Sequence, residues 1–144
     1  MTIHLALASA LFGAMLFFAA VVAPCVFRFL EGETAGRFLR GFFPIYYIAG
    51  LAVAGLGVPV AIWEGGFVGA GILAAVASGF ALSRFVLVGR INAARDAELA
   101  GGAEGSGGKA AAKRFKWLHR ASVMINLAQM VLLLLLILRA LAVI

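Results

Sequence analysis

Apolar residues fall into four long runs, separated by three polar breaks. The runs span about 3–30, 44–63, 67–91 and 115–142. Each reaches the roughly 20 residues that carry a helix through hydrocarbon. The pattern predicts an all-α membrane protein: four transmembrane helices in a compact bundle, one domain over residues 1–144. Pro24 lies inside the first run and should kink it unless neighbours satisfy the freed carbonyl. Pro44 suits the first turn of the second helix. Gly65-Gly66 predicts a tight turn before the third, which should stay helical to about Glu98. The first break, "EGETAGRFLRGFFP", alternates charge with Phe38, Leu39, Phe42 and Phe43 and reads as a short interfacial helix. The Gly- and Ala-rich third break reads as a flexible loop over 99–112, most mobile over 101–108.

Small residues mark the packing faces. Gly50, Ala54 and Gly57 give the second helix a close-approach face, and Gly66, Ala70, Ala74 and Ser78 recur on the third. Such rows let backbones meet where lipid supplies no hydrophobic drive between helices.

Composition strengthens the membrane reading. Of the 144 residues, 65% are hydrophobic, and the mean hydropathy is +1.10. A water-soluble domain of this length does not need so much apolar surface. One cysteine, Cys25, excludes an intramolecular disulfide and a Cys-cluster metal site; it reads as a small packing residue. Proline directly before it argues against a lipoprotein cleavage box, and the first run lacks the basic start of a signal peptide. That run is therefore expected to be a retained helix.

The charge of +6 invites a nucleic-acid partner, but its placement says otherwise. Of the twelve Lys and Arg, all but Arg139 lie on or beside the first and third breaks. The second break carries only Glu64. In a four-span protein the first and third breaks share a side, which the positive-inside rule makes the cytoplasm. Both termini then lie on the outer side of a bacterial inner membrane. Trp63 at the outer edge, with Tyr46, Tyr47 and Trp117 at the inner edge, fits aromatic belts. The charge is a topology signal, so the partners expected are membrane lipids and no nucleic acid. A homo-oligomer is left open.

The candidate chemistry lies in the fourth run. His119, Ser122, Asn126 and Gln129 fall within an arc of about 80° and descend about 15 Å along the helix. A polar row facing lipid is costly, so it should face the bundle. Arg84, Ile91 and Arg95 share a face of the third helix, with Asn92 nearby. Arg84 lies about two turns inside the membrane, where a guanidinium needs a partner or a wet pocket. The expected site is a cytoplasm-facing pocket of Tyr46, Arg84, Asn92, Arg95, His119 and Asn126. Arg84 and Arg95 would meet an anionic lipid phosphate or another small polar ligand, Asn92 and Asn126 would orient it, and His119 could titrate near neutral pH. The competing reading is interhelical glue, which suits Ser122 and Gln129 best. No acid–base pair, metal cluster, phosphate loop or nucleophile motif is evident. The leading expectation is a ligand-binding, transport-related or accessory component rather than an enzyme, with no catalytic residue and no resident metal. The alternative is a haem-dependent membrane oxidoreductase carrying haem b. His4 and His119 start opposite ends of the bundle, so one iron cannot take both. His4 otherwise reads as an interfacial polar residue.

"HLALASALFGAMLFFAAVVAPCVFRFL", "AGRFLRGFFPIYY", "RINAARD" and "RFKWLHRASVMINLAQ", in this order, resemble the transmembrane-protein-205-like family, a membrane domain of unknown function. The resemblance implies four spans and a membrane location. Its matching positions here are His4, Gly13, Pro24, Phe27, Phe43, Pro44, Tyr46, Asn92, Arg95, His119, Ser122 and Asn126. It implies no reaction.

Overall fold

The computed structural model describes residues 2–102 and 105–141. All regular structure among them is helical. Four rods carry the chain: α1 (Ile3–Phe29), α2 (Gly32–Trp63), α3 (Phe67–Ala100) and α4 (Ser106–Ala140). All four are long and apolar enough to cross a membrane, the signature of a multi-pass membrane protein. At most 28% of each rod's apolar window is buried inside the bundle. Phe17, Phe27, Ile45, Leu56, Phe85 and Met124 instead point outward. Water would not tolerate so apolar a surface, whereas lipid requires it.

The rods form an antiparallel ring. α2 packs on α1 and α3, α4 packs on α3 and α1, and α2 and α4 face each other across the diagonal with no close backbone approach among the described residues. The core joins Ala8, Leu11 and Met15 of α1, Tyr47, Ala54 and Ala61 of α2, Leu73, Val76 and Phe80 of α3, and Leu133 and Leu136 of α4.

Small residues set the closest approaches, though not all where the sequence suggested. Gly50, Ala54, Gly57 and Ala61 form a buried seam on α2. A methyl group added at Gly50 would fall 2.5 Å from Phe80 Cζ, and one at Gly57 would fall 2.9 Å from Leu73 Cδ1. On α3 the expected every-fourth-residue row holds only in part: Ala70 is buried, but Ala74 and Ser78 are exposed, and the Ser78 hydroxyl donates to its own helix at Ala74 O (2.8 Å). A four-residue step drifts about 40° around an α-helix. The buried seam mixes threes and fours instead: Gly69, Leu73, Val76, Phe80.

Proline positions also depart from expectation. Pro44 lies well inside α2, which begins at Gly32, so the expected interfacial segment is continuous with the span. Proline removes one helical hydrogen bond. An aromatic cluster holds the rod together on both sides of it: Phe18 stacks on Phe42 at 4.9 Å, and Tyr46 packs on both. Pro24 is preceded by a π turn at Phe18–Val22, where the Ala23 N–H reaches back to Phe18 O. This wider turn rearranges the bonds that proline disturbs. Val26 takes the inward position, and Cys25 is exposed.

The loop expected over 99–112 is much shorter. α3 continues to Ala100 and α4 is already helical from Ser106. Gly101 and Gly108 allow the tight approach, since a methyl group at Gly101 would fall 2.7 Å from Gly108 N. The basic ends of α3 and α4 zip together through Leu87, Ala94, Leu118, Ile91 and Phe115. Their alanines supply helix propensity that outweighs the glycines.

Candidate functional site

Two tyrosines reach across the diagonal of the bundle. Tyr47, buried, hydrogen-bonds Ser122 Oγ at 2.9 Å. The Tyr46 hydroxyl lies 3.3 Å from both Oδ1 and Nδ2 of Asn126. Both contacts join helices whose backbones make no close approach among the described residues. Tyr46 and Tyr47 therefore turn inward rather than forming the inner aromatic belt, because their hydroxyls find partners only there. Trp63 and Trp117 do face outward. One turn deeper, Gln129 Nε2 donates to Val76 O at 2.8 Å. Gly79 makes room for it, since a methyl group there would fall 2.8 Å from that nitrogen.

Of the six expected site residues, Tyr46 and Asn126 thus meet directly. Arg95 and His119 meet at the surface through a third ring. The His119 imidazole stacks on Phe115 at 6.0 Å, and the Arg95 guanidinium sits 5.4 Å from the same ring. Arg95 also pairs with Glu98 at 2.7 Å. His119 is exposed, at the edge of the polar arc, whereas Ser122 and Gln129 are buried. Arg84 and Asn92 are half-buried. Arg84 lies in a second π turn, Ser83–Leu87, beside the buried Ser83. Its guanidinium lies over Phe85 at 5.6 Å, and its buried Nε finds no partner among the described residues. The antiparallel register fixed by Gln129 and Val76 puts Arg84 within about a turn of Ser122. The expected single pocket is therefore two stations, an inner polar layer and a surface stack. Arg40 ties the same end together by pairing with Asp96 at 2.8 Å.

A polar constellation that the sequence reading missed lies at the other end. His4 is only 7% exposed, and its Nδ1 lies 2.6 Å from Glu64 Oε2. The Glu64 carboxylate also accepts the Ile3 N–H (2.8 Å) and the His4 N–H (3.1 Å). It thereby caps α1, whose own N-cap residue Thr2 makes no side-chain bond. The His4 hydrogen bond, aided by the two backbone N–H groups, holds the Glu64 carboxyl below the usual carboxylate range. The available signal was sparse but real: Glu64 is the only acid and His4 the only histidine assigned to the outer end. His4 and His119 lie at opposite ends, about 25 Å apart along α4, counting from the Leu136 level to His119.

Two surface hollows occur away from the six expected residues. One, about 280 Å³, lies between Ala93, Ala97, Ala110 and Arg114. The other, about 390 Å³, adjoins His4, Gly66, Gly69, Leu136 and Arg139. Among the described residues, no cluster of three or more His, Cys, Asp or Glu can hold a metal ion.

A family model described as a domain of unknown function, DUF4149, matches residues 6–99, about two thirds of the chain. No curated protein and no solved structure matches. The match covers most of α1, all of α2 and nearly all of α3, so it includes Tyr46, Arg84, Asn92, Arg95 and Glu64 and leaves His4 and the polar row of α4 outside.

Proposed function

The chain belongs to the family of DUF4149, a domain of unknown function, and from that footing we propose that it is a ligand-binding or accessory component of the bacterial inner membrane rather than an enzyme. In this reading the basic end faces the cytoplasm, and both termini lie outside. The skew of Lys and Arg supports the orientation. The resemblance to the transmembrane-protein-205-like family belongs to the same reading, on the motifs quoted above.

The ligand is an anionic group, a lipid phosphate or a small anion, taken at the basic end. One observation carries this: the buried Nε of Arg84, unpartnered among the described residues, at about the depth of the Tyr–Ser/Asn layer. An arginine donor at that depth is costly unless something accepts from it. Arg95 and His119, stacked on Phe115, form the outer lip of the same face. Tyr46 and Asn126 hold each other at a long 3.3 Å, so each can exchange its partner for a ligand at small cost.

The test pairs Arg84→Leu with Asn126→Leu in detergent. Mass spectrometry reads co-purifying lipids and metabolites, and thermal melting reads stability. The expected result is folded protein with a retained anionic species depleted in Arg84→Leu. If both variants fold and keep everything the unaltered protein keeps, the layer is packing alone. A reporter active only in the cytoplasm, fused after Ile144, should be silent; strong activity there reverses the orientation.

A further inference from the structure

The hollow at the end opposite the basic loops has the makings of a separate site. It lies at the N-terminus of α3, where Phe67, Val68 and Gly69 line it. Their backbone N–H groups are the orphan donors of a first helical turn. The N-cap is Gly66, which offers no side-chain acceptor. α1, by contrast, has its first donors met by Glu64.

The histidine supplies an independent observation. His4 is more than nine-tenths buried and lines the same hollow. Its Nδ1 is committed to Glu64, so Nε2 is the free end of the ring, and no hydrogen bond to it occurs among the described residues. Two glycines keep that nitrogen uncovered. A methyl group would fall 3.3 Å from Nε2 at Gly66 and 3.0 Å at Gly69. Arg139 of α4 completes the lining. The Glu64 carboxylate accepts from three donors and does not itself line the hollow. What the hollow presents is a guanidinium, an imidazole edge and a positive helix end. Leu5, Phe67, Val68 and Leu136 make its walls apolar.

We propose that this hollow binds a phosphate oxyanion, held by the α3 first-turn N–H groups, His4 Nε2 and Arg139, with Glu64 fixing the histidine. In the bound state the ring carries a proton on each nitrogen, Nδ1–H donating to Glu64 and Nε2–H donating to a phosphate oxygen. The phosphate comes from an anionic lipid headgroup, whose chains can lie along the apolar wall, or from free phosphate. The site is distinct from the one proposed at the basic end, and its binding test does not depend on the orientation in the membrane.

Only two histidines occur in the chain, which gives a direct readout. The full-length protein, labelled with ¹⁵N-histidine and held in zwitterionic detergent, is titrated separately with phosphatidylglycerol and with inorganic phosphate. His119→Gln assigns the His4 signals. The expected result is a saturable shift of His4 Nε2 with at least one titrant. Arg139→Gln should weaken the midpoint about tenfold, as loss of one charge-assisted bond requires. Gly69→Ala, which crowds Nε2, should abolish the shift. A shift with phosphatidylglycerol alone identifies the lipid source, and one with inorganic phosphate identifies the free anion. No shift with either titrant, or a midpoint unchanged in Arg139→Gln, overturns the proposal. Arg139 is exposed at the last turn of α4, so that variant should fold even if Gly69→Ala does not.

Discussion

Gly50→Ala tests the packing behind the tyrosine layer, since Gly50 meets Phe80 and Phe80 packs on Tyr46 and Tyr47. The new methyl carbon would sit 2.5–2.7 Å from three atoms of the Phe80 ring. Phe80 is fully buried, and its ring is bracketed by Tyr46 at 6.0 Å and Tyr47 at 6.4 Å. It cannot swing aside without displacing the tyrosines, so α2 and α3 must separate. Overpacking of this kind costs about 1–3 kcal/mol. Alanine's better helix propensity returns up to about 1 kcal/mol, leaving a net loss of about 0–2 kcal/mol and a deficit of about 1–3 kcal/mol against the same exchange made in open space. Gly55→Ala is the matched control: same helix, same exchange, and open space around the new methyl group. It should be neutral or gain up to about 1 kcal/mol. Reversible unfolding in mixed micelles, followed by circular dichroism, reads both. Phe80→Leu in the Gly50→Ala background should recover part of the loss by making room. If Gly50→Ala proves as stable as Gly55→Ala, then α2 and α3 do not meet through Gly50, and the tyrosine layer is misplaced with them.

Two further outcomes follow from the hydrogen bonds. The double-mutant cycle of Tyr47→Phe with Ser122→Ala should show coupling of about 0.6 kcal/mol, the usual scale for such bonds in membranes; strictly additive effects would mean the hydroxyls do not meet. Glu64 holds fewer protons folded than unfolded wherever pH lies between its lowered pKa and the ordinary 4.5. Its stabilisation is therefore complete above 4.5 and is lost as pH falls through the lowered value. Thermal melts between pH 6 and pH 3 should show that acid limb, and Glu64→Gln should flatten it; an identical limb in both would place the acid sensitivity elsewhere.

The four rods and the α2 seam were legible because hydropathy and small-residue spacing act locally along one helix. Helix ends were less legible. Pro44 reads as a start only if its lost bond decides the matter, and here stacking of Phe42, Phe18 and Tyr46 decides it instead. Ala110–Ala112 and their neighbours read as linker by glycine content, yet docking of α4 on α3 through Leu118 and Leu87 makes them helix. The site was legible in its residue types and not in its grouping. Helical angles placed the four polar residues of α4 on one arc with His119 and Gln129 at its two margins, and Gln129 turned inward to Val76 O while His119 turned outward. A margin of that size is settled by whichever neighbour is nearer, here Phe115. The π turn at Ser83–Leu87 changes the phase of α3 near Arg84, and no sequence periodicity contains that offset.

His4 and Glu64 show a different reason for illegibility, and it bears on what the bundle is built to do. Sixty residues separate them, and each has an ordinary local explanation: an interfacial histidine and a turn acid. Only closure of the ring brings the start of α1 against the α2–α3 turn. There one carboxylate caps a helix and orients an imidazole, so a single acid fixes both the vertical register of α1 and the direction of Nε2. A purely structural cap would need no histidine, since the backbone N–H groups of Ile3 and His4 already satisfy it. The buried ring adds a desolvated polar group, which costs stability unless both nitrogens are met. Glu64 meets one. The glycines at 66 and 69 keep the other open where side chains would have closed it. That combination, a polar ring held firmly on one side and left uncovered on the other, is the ground on which the proposed phosphate site rests.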